Sequence, residues 1–457
     1  MLRFLQRCGR SLGTAELVYR RRPKRRSRPA AEEDELTNLL PNWLRATTGA
    51  YLVGGCVRDL LLGRTPTDYD IAFQGDTPAY ARLLASAAGG RVVEIGKPAF
   101  RIWRVVIGAH IIDVAPLAGG RLDEDLRRRD FTINAMAIDT ATGQVIDITG
   151  GRADLSAGSI RMVSAAAFRA DPIRLLRAFR FASRLGFAVD PQTLATISRD
   201  AGLIAQSAGE RIRDELFKLL AATPAHPHVS AMQAAGLLQA IFPDVEPTAV
   251  EPALQSMRTL ETILEGFPGL PPGLAARLSA EFQERRRVVL KCAALLRSIA
   301  PSRQGAAVDR LRLSKRDSSR MECLLRPQSL PQEPSPAAGM LTADALRFFQ
   351  AAGDFAPDLL ILEMAVGTVD AALPPAPPRA ALAGILRMLR DYFYRYRPRA
   401  LSPPALTGSD LLREFGLRPS PLFGEILDRV EAERLSRESF TRAEALELVR
   451  AHLAGRL

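Results

Sequence analysis

A change of texture near Ser164 divides this sequence into two folding problems. From about 50 to 150, short β-type runs alternate with polar connections: AYLVGG (50–55), YDIAF (69–73), RVVEI (91–95), RIWRVVI (101–107), HIIDVA (110–115) and INAMAID (133–139). QVIDITGG (144–151) reads as one more strand, ending in a glycine turn. VRDLLLG (57–63) and PAYARLLASAAGG (78–90) read as helices between strands, the second closed by glycines. Such alternation implies an α/β domain. Beyond Ser164, Leu/Ala/Arg-rich helical stretches run to the C-terminus. Pro clusters at 267–273, 327–336 and 374–378 mark loops between them. We therefore expect a basic arm over 1–36, an α/β head over 37–160, a helical neck over 161–225, a helical body over 226–400 and a helical tail over 401–457.

Charge adds a second division. Residues 1–29 hold ten Arg or Lys against the single acid Glu16, a charge of +9, so the rest of the chain carries only +3 of the total +12. A cationic arm of this kind attracts any polyanion without reading its sequence. It also has the Arg-rich, acid-poor look of an organelle transit peptide, although nothing else in the chain supports import. No apolar run approaches the roughly 18 residues that a membrane span needs. The four cysteines (Cys8, Cys56, Cys292, Cys323) are far apart and form no C-x-x-C pair. A zinc site or disulfide framework is therefore not expected, and a reducing cytoplasm fits best.

Three features of the head carry chemistry. Gly54-Gly55-Cys56-Val57-Arg58-Asp59 directly follows the strand AYLV. Glycines at a strand-to-helix turn let the backbone approach phosphates, and Arg58 falls on the first helical turn, although a Gly-Gly pair alone is usually only a turn. Asp68 and Asp70 stand at i and i+2 at the start of a strand, so both carboxylates point to one face and can grip a hard cation. Asp113 interrupts the apolar run Ile111-Ile112-Asp113-Val114. It is either a third carboxylate near the metals or the partner of an Arg, because an unpaired buried acid is costly. Further on, Asp171-Pro172 is suited to open a helix, with Asp as N-cap and Pro in the first turn. Arg174, Arg177, Arg180 and Arg184 then follow on one broad face, with Leu175, Leu176 and Phe179 as core. No acid balances that row between Pro172 and Val189.

LVGGCVRDLLLG, DYD, RRRDFTINAMA (127–137) and ADPIRLLRAFRFASRLGF (170–187) occur in the order and spacing of the class II tRNA nucleotidyltransferase and bacterial poly(A) polymerase family. The sequence resembles that family over about 50–220, and LTGSDLLREFGLRPSPLFGEIL (406–427) resembles its tail. The resemblance implies a polymerase-β-like nucleotidyltransferase head followed by an all-helical neck, body and tail that binds RNA. It implies an enzyme that adds C or A to a tRNA 3′ end from CTP or ATP, using Mg²⁺. On the matching positions, Asp68 and Asp70 would hold the catalytic metals, with Asp113 as the third catalytic carboxylate. Gly54, Gly55 and Arg58 would take the triphosphate, Arg129 would contact the nucleotide, and Asp130 and Asn134 would shape the ribose site. Asp171 and Arg174 would read the base, supported by Arg177 and Arg180.

Two departures bear on subtype. The acid that usually precedes the base-reading aspartate is Ala170 here. Between Asp113 and Asp130 there is little more than AGGRLDED, shorter than the flexible loop of relatives that add a complete CCA end or its final A, and its loss is characteristic of relatives that add only CC. Cys292–Ile299 resembles a phosphohydrolase segment whose His-Asp pair is replaced by Arg297-Ser298, so no hydrolase activity is expected. His226 and His228, flanking Pro227, read as surface loop. Poly(A) addition is the alternative enzyme activity, mildly favoured by the basic arm. A non-catalytic RNA-binding relative is disfavoured by the intact Asp68, Asp70, Arg58 and Asp171.

Overall fold

The computed structural model describes residues 47–96, 101–326, 330–331, 340–366 and 379–455, the side chains of 379–381 excepted. The basic arm, the 374–378 Pro cluster and most of 327–336 lie outside the described residues. The described chain forms two compact units, one ending at Pro243 and one beginning at Asp244.

The first unit is built on a seven-stranded sheet. Its strands are β1 (Ala50–Val53), β2 (Asp68–Phe73), β3 (Arg91–Ile95), β4 (Ile102–Ile107), β5 (His110–Pro116), β6 (Met136–Asp139) and β7 (Val145–Asp147). They lie in the order β3-β4-β5-β2-β1-β6-β7. Only β2 and β5 run parallel, and their register sets Asp70 beside Asp113. Along β2 burial alternates: Tyr69 and Ile71 are buried, while Asp68 and Asp70 face out on the other side, as the period of a strand requires. The expected strands therefore form, with one shortened: the start of INAMAID is a 3₁₀ turn, Thr132–Asn134, and the strand begins only at Met136. In that turn the Asn134 side chain is bound to Arg58 and Asp130.

The helices of this unit have local causes. In α1 (Gly55–Leu61), Val57 and Leu60 are buried. In α2 (Thr77–Ala88), the Asp76 carboxylate accepts from the Ala79 amide at 3.0 Å and Gly89 closes the helix with φ 67°. α3 (Leu122–Arg127) fills the short connection from β5, and α4 (Gly151–Ala157) follows β7. A small parallel pair, β8 (Ser159–Ile160) with β9 (Ala188–Val189), brackets α5 (Ala165–Ala170) and α6 (Ile173–Leu185). Then come α7 (Pro191–Asp200), α8 (Gly209–Ala221) and α9 (His226–Ala234). His226 and His228 thus sit on the first turn of a helix with Pro at its start, not in a loop: the proline that suggested a break has the φ a first turn needs. Cys56 is buried, and burial pushes its thiol up to about 12, so it serves packing rather than reaction.

The second unit is helical. Pro247–Leu264, Glu284–Leu296 and Ala356–Val366 supply much of its core. Within it the buried Asp358 is held by Arg286 through hydrogen bonds of 2.9 and 2.6 Å. Arg297 is bound to Glu363 at 2.5 Å, and the Ser298 hydroxyl donates to the Leu295 carbonyl at 2.7 Å. The tail helices pack around Leu411, Ile426, Val430 and Val449, and two of them start with capping boxes, Thr407/Asp410 and Thr441/Glu444. Among the described residues, no helix is long and apolar enough to cross a membrane.

Candidate active site

Strand register assembles the carboxylates. Asp68 and Asp70 project from one face of β2, and the parallel neighbour places Asp113 next to Asp70. The antiparallel strand β4 then sets Arg104 opposite Asp113, and the guanidinium donates to both carboxylate oxygens at 2.8 Å each. The arginine partner expected as one possibility for Asp113 is therefore present, and the same residue stands beside Asp70 in the sheet. Burial raises the Asp70 carboxyl above its ordinary range; Arg129 opposes that rise, while Asp113 and Asp68 add to it. Such a carboxylate gains from an arriving cation. Among the described residues, no three His, Cys, Asp or Glu side chains converge as a closed metal cage. Two carboxylates with open positions suit Mg²⁺, which commonly takes one or two protein oxygens and completes its shell with substrate phosphates and water.

Gly54 makes the turn beside that pair. Its φ is 81°, and a Cβ there would lie 2.9 Å from Arg129 Nη1 and 3.4 Å from Asp70 Oδ2. The positive φ disfavours a larger residue, and a Cβ there would also push the Arg129 guanidinium aside. Arg129 is anchored by Asp125, whose Oδ2 accepts from Nε at 3.0 Å and from Nη2 at 2.7 Å. Arg58 is almost fully buried, 3% exposed. Its Nη1 donates to Asn134 Oδ1 at 2.7 Å and its Nε to Asp59 Oδ1 at 2.9 Å. Asn134 Nδ2 in turn donates to Asp130 Oδ1 at 3.1 Å, which also accepts from the Phe131 amide at 2.8 Å. One chain of contacts thus joins the glycine-turn arginine to the Asp-Asn pair.

Helix α6 closes the site. Leu175, Leu176 and Phe179 are completely buried, which aims the arginines the other way. Arg177 Nη2 lies 3.0 Å from Asp130 Oδ2, and Arg180 Nε lies 2.5 Å from Glu215 Oε2. Arg184 is exposed and takes no place in the cleft. Burial pulls the Arg174 and Arg180 guanidiniums below their usual range, with acids nearby opposing the shift. Asp171 departs from expectation. Its side chain makes no cap: the residue is extended at the end of α5, Pro172 occupies the cap position of α6, and only the Asp171 carbonyl receives the Arg174 amide, at 3.1 Å. The carboxylate is engaged instead by Arg211 of α8, because a charged fork competes better for it than a backbone amide.

The result is a cleft of about 300 Å³. Gly54, Gly55, Arg58, Asp70, Arg129, Asp130, Asn134, Arg174, Arg177 and Phe181 line it. Asp68, Asp113, Asp171 and Arg180 are adjoining residues outside that lining. With four arginines against two aspartates in its lining, the cleft is cationic and suited to a polyanionic ligand. Asp130 Oδ2, Arg174 Nε and Arg177 Nε are buried without an aligned hydrogen-bond partner, an unusual condition that an entering polar ligand would relieve. Phe181, with the Arg58, Arg177 and Arg180 guanidiniums 5.3, 5.4 and 3.8 Å from its ring centre, was not foreseen. Nor were Arg104, Asp125, Arg211 and Glu215. For the last two a signal existed: an arginine row without local acids needs partners from elsewhere, and Arg211 and Glu215 share one face of α8 at i, i+4.

Comparison with known proteins identifies the family and the fold. Residues 50–161 match the poly A polymerase head domain family, and 186–248 match the family described as the probable RNA and SrmB-binding site of polymerase A. The chain is 37% identical to a CC-adding tRNA nucleotidyltransferase of Geobacter sulfurreducens, across 87% of this chain and 90% of that one. It is 33% identical to an A-adding tRNA nucleotidyltransferase of Deinococcus radiodurans, across 88% and 95%. Its fold resembles that of a CCA-adding enzyme in an apo form, with a TM-score of 0.66, 23% identity and coverage of 88% and 90% of the two chains.

Proposed function

The chain belongs to the tRNA nucleotidyltransferase and poly(A) polymerase family, and from that membership we propose that it adds C and/or A to the 3′ end of tRNA, from CTP or ATP, with release of pyrophosphate. The observation that carries this reading is the cationic cleft that opens beside the Asp68–Asp70 pair. In it a triphosphate can lie along Gly54, Gly55, Arg58 and Arg129 with its α-phosphate near the carboxylates. Asp68 and Asp70 would hold Mg²⁺, which when bound activates the attacking 3′-hydroxyl and steadies the leaving pyrophosphate. Asp130 and Asn134, cross-linked to Arg58 and Arg177, offer acceptors and donors suited to ribose hydroxyls. Asp171 and Arg174 read the base edge. Within this activity we favour CC addition. The connection from β5 to the 3₁₀ turn at Thr132 holds only a single 3₁₀ turn and the six-residue helix α3, with no long flexible loop. Cys56 and Cys292 are buried thiols that form no disulfide, which supports a cytoplasmic setting. Poly(A) addition has the support of the head-domain match, whereas the relatives that extend along most of the chain are tRNA enzymes. To test the function, purified protein is given a tRNA transcript lacking CCA, an unstructured RNA, Mg²⁺ and each labelled nucleotide. CTP should be incorporated into the tRNA with one pyrophosphate per nucleotide; labelled A on both RNAs alike would replace the reading with poly(A) addition.

We also propose that the helical body contacts the RNA. Tyr394 is 49% exposed, and the Arg277 guanidinium lies 5.0 Å from its ring centre. Exposed Arg387 and Arg390 lie seven and four residues earlier, on the helix that runs into the π-helical turn Tyr392–Tyr396 carrying Tyr394. Exposed aromatics interleaved with arginines are suited to unpaired bases and phosphates. Tyr394→Ala should raise the KM for tRNA at least about fivefold while leaving the KM for CTP unchanged. Equal KM values for tRNA in variant and wild type would remove this surface from the RNA path.

A further inference from the structure

Asp171 and Arg174, the proposed base-reading pair, are oppositely charged neighbours at i and i+3. Such residues tend to close on one another, and a closed pair would occupy the donors and acceptors a base requires. Here they stay apart: Arg174 Nε is 3.9 Å from Asp171 Oδ2, beyond hydrogen-bonding range. Two sets of contacts keep the gap. Arg211 Nη1 and Nη2 donate to Asp171 Oδ1 and Oδ2, both at 2.9 Å. Arg174 Nη1 donates to the Arg128 carbonyl at 2.8 Å and the Ala167 carbonyl at 3.2 Å. Arg174 Nε is left buried without a hydrogen-bond partner.

From this geometry we infer that Arg211 is a positioning residue for base selection, holding Asp171 off Arg174 so that both keep open edges toward the incoming base. The inference rests on the reading of Asp171 and Arg174 as the selecting pair. A bidentate fork fixes the plane of the carboxylate, yet each oxygen keeps a second lone pair for the nucleotide. Arg211 itself is half-exposed and lies outside the cleft lining. Its helix is firmly seated, with Ile212, Leu216 and Leu219 fully buried, and Glu215 one turn further on grips Arg180. α8 thus holds α5–α6 at two points. A lysine would keep the charge but not the fork.

The test compares kcat/KM for CTP, ATP, UTP and GTP on one tRNA, with melting temperatures measured in parallel. The proteins are wild type, Arg211→Ala, Arg211→Lys, Arg174→Ala and the Arg174→Ala/Arg211→Ala double variant. Arg211→Ala should reduce the preference for the correct base about tenfold, because Arg174 closes onto the freed Asp171, and Arg211→Lys should recover only part of it. In the Arg174→Ala background, removing Arg211 should leave the preference unchanged. A uniform fall for all four nucleotides would make Arg211 a phosphate contact or a structural residue and overturn the inference. So would a full additive effect in the double variant. If Arg174→Ala alters base preference and Arg211→Ala does not, the inference fails while the base-reading assignment stands. If neither alters it, both fail.

Discussion

Asp68→Ala and Asp70→Ala should each lower nucleotide incorporation roughly 100-fold or more, since metal-based stabilisation of phosphoryl transfer is worth several kcal/mol. RNA affinity should hold nearly constant, because these carboxylates are proposed to grip cations rather than RNA. Asp113 should behave differently. Arg104 holds both of its oxygens, so Asp113→Asn should be milder than loss of either β2 carboxylate. The raised Asp70 carboxyl adds a pH signature. As pH falls into its elevated range, protons compete with the cation, and the metal concentration needed for half-maximal rate should rise. Single-turnover incorporation with each variant across metal concentration and pH is the measurement. More than about a tenth of wild-type rate in either alanine variant would be far above the loss expected for a metal ligand.

The second large effect separates base reading from phosphate binding. Arg offers only donors and ionised Asp only acceptors, so Arg174 and Asp171 together can match one edge of C or A and mismatch U and G. Losing one such pairing should cost about 1–3 kcal/mol of discrimination, roughly five- to 150-fold. Arg174→Ala should therefore blur base choice more than it slows total incorporation. Arg58→Ala should slow all four nucleotides alike, because Arg58 lies at the glycine turn and holds Asn134 rather than a base-facing group. If kcat/KM for every nucleotide falls by the same factor in Arg174→Ala, then Arg174 is a phosphate or structural residue.

Local pattern made most of the head legible. Short β-type runs between polar connections marked the strands, and Asp68-x-Asp70 revealed its face because successive strand residues point to opposite sides. Counter-ions were not legible. Arg104 reaches Asp113 only because β4 and β5 pair in a particular register, and Arg211 reaches Asp171 only after α8 packs on α6. Asp171 shows the limit of local chemistry: Asp before Pro is a sound cap signal, yet a bidentate arginine from forty residues away took the carboxylate. The shift of Asn134 from strand to turn has a similar cause, since its partners Arg58 and Asp130 are set by topology rather than by neighbouring residues.

The most direct measurement of the proposed activity uses three tRNA transcripts, ending before CCA, after the first C and after both, each incubated with wild-type protein, Mg²⁺ and every labelled nucleotide separately and together. CC addition predicts two C residues on the first transcript, one on the second and none on the third, with A added to none. A single A on the third transcript alone would assign terminal A addition instead, and long A tracts on all three would contradict tRNA end synthesis altogether.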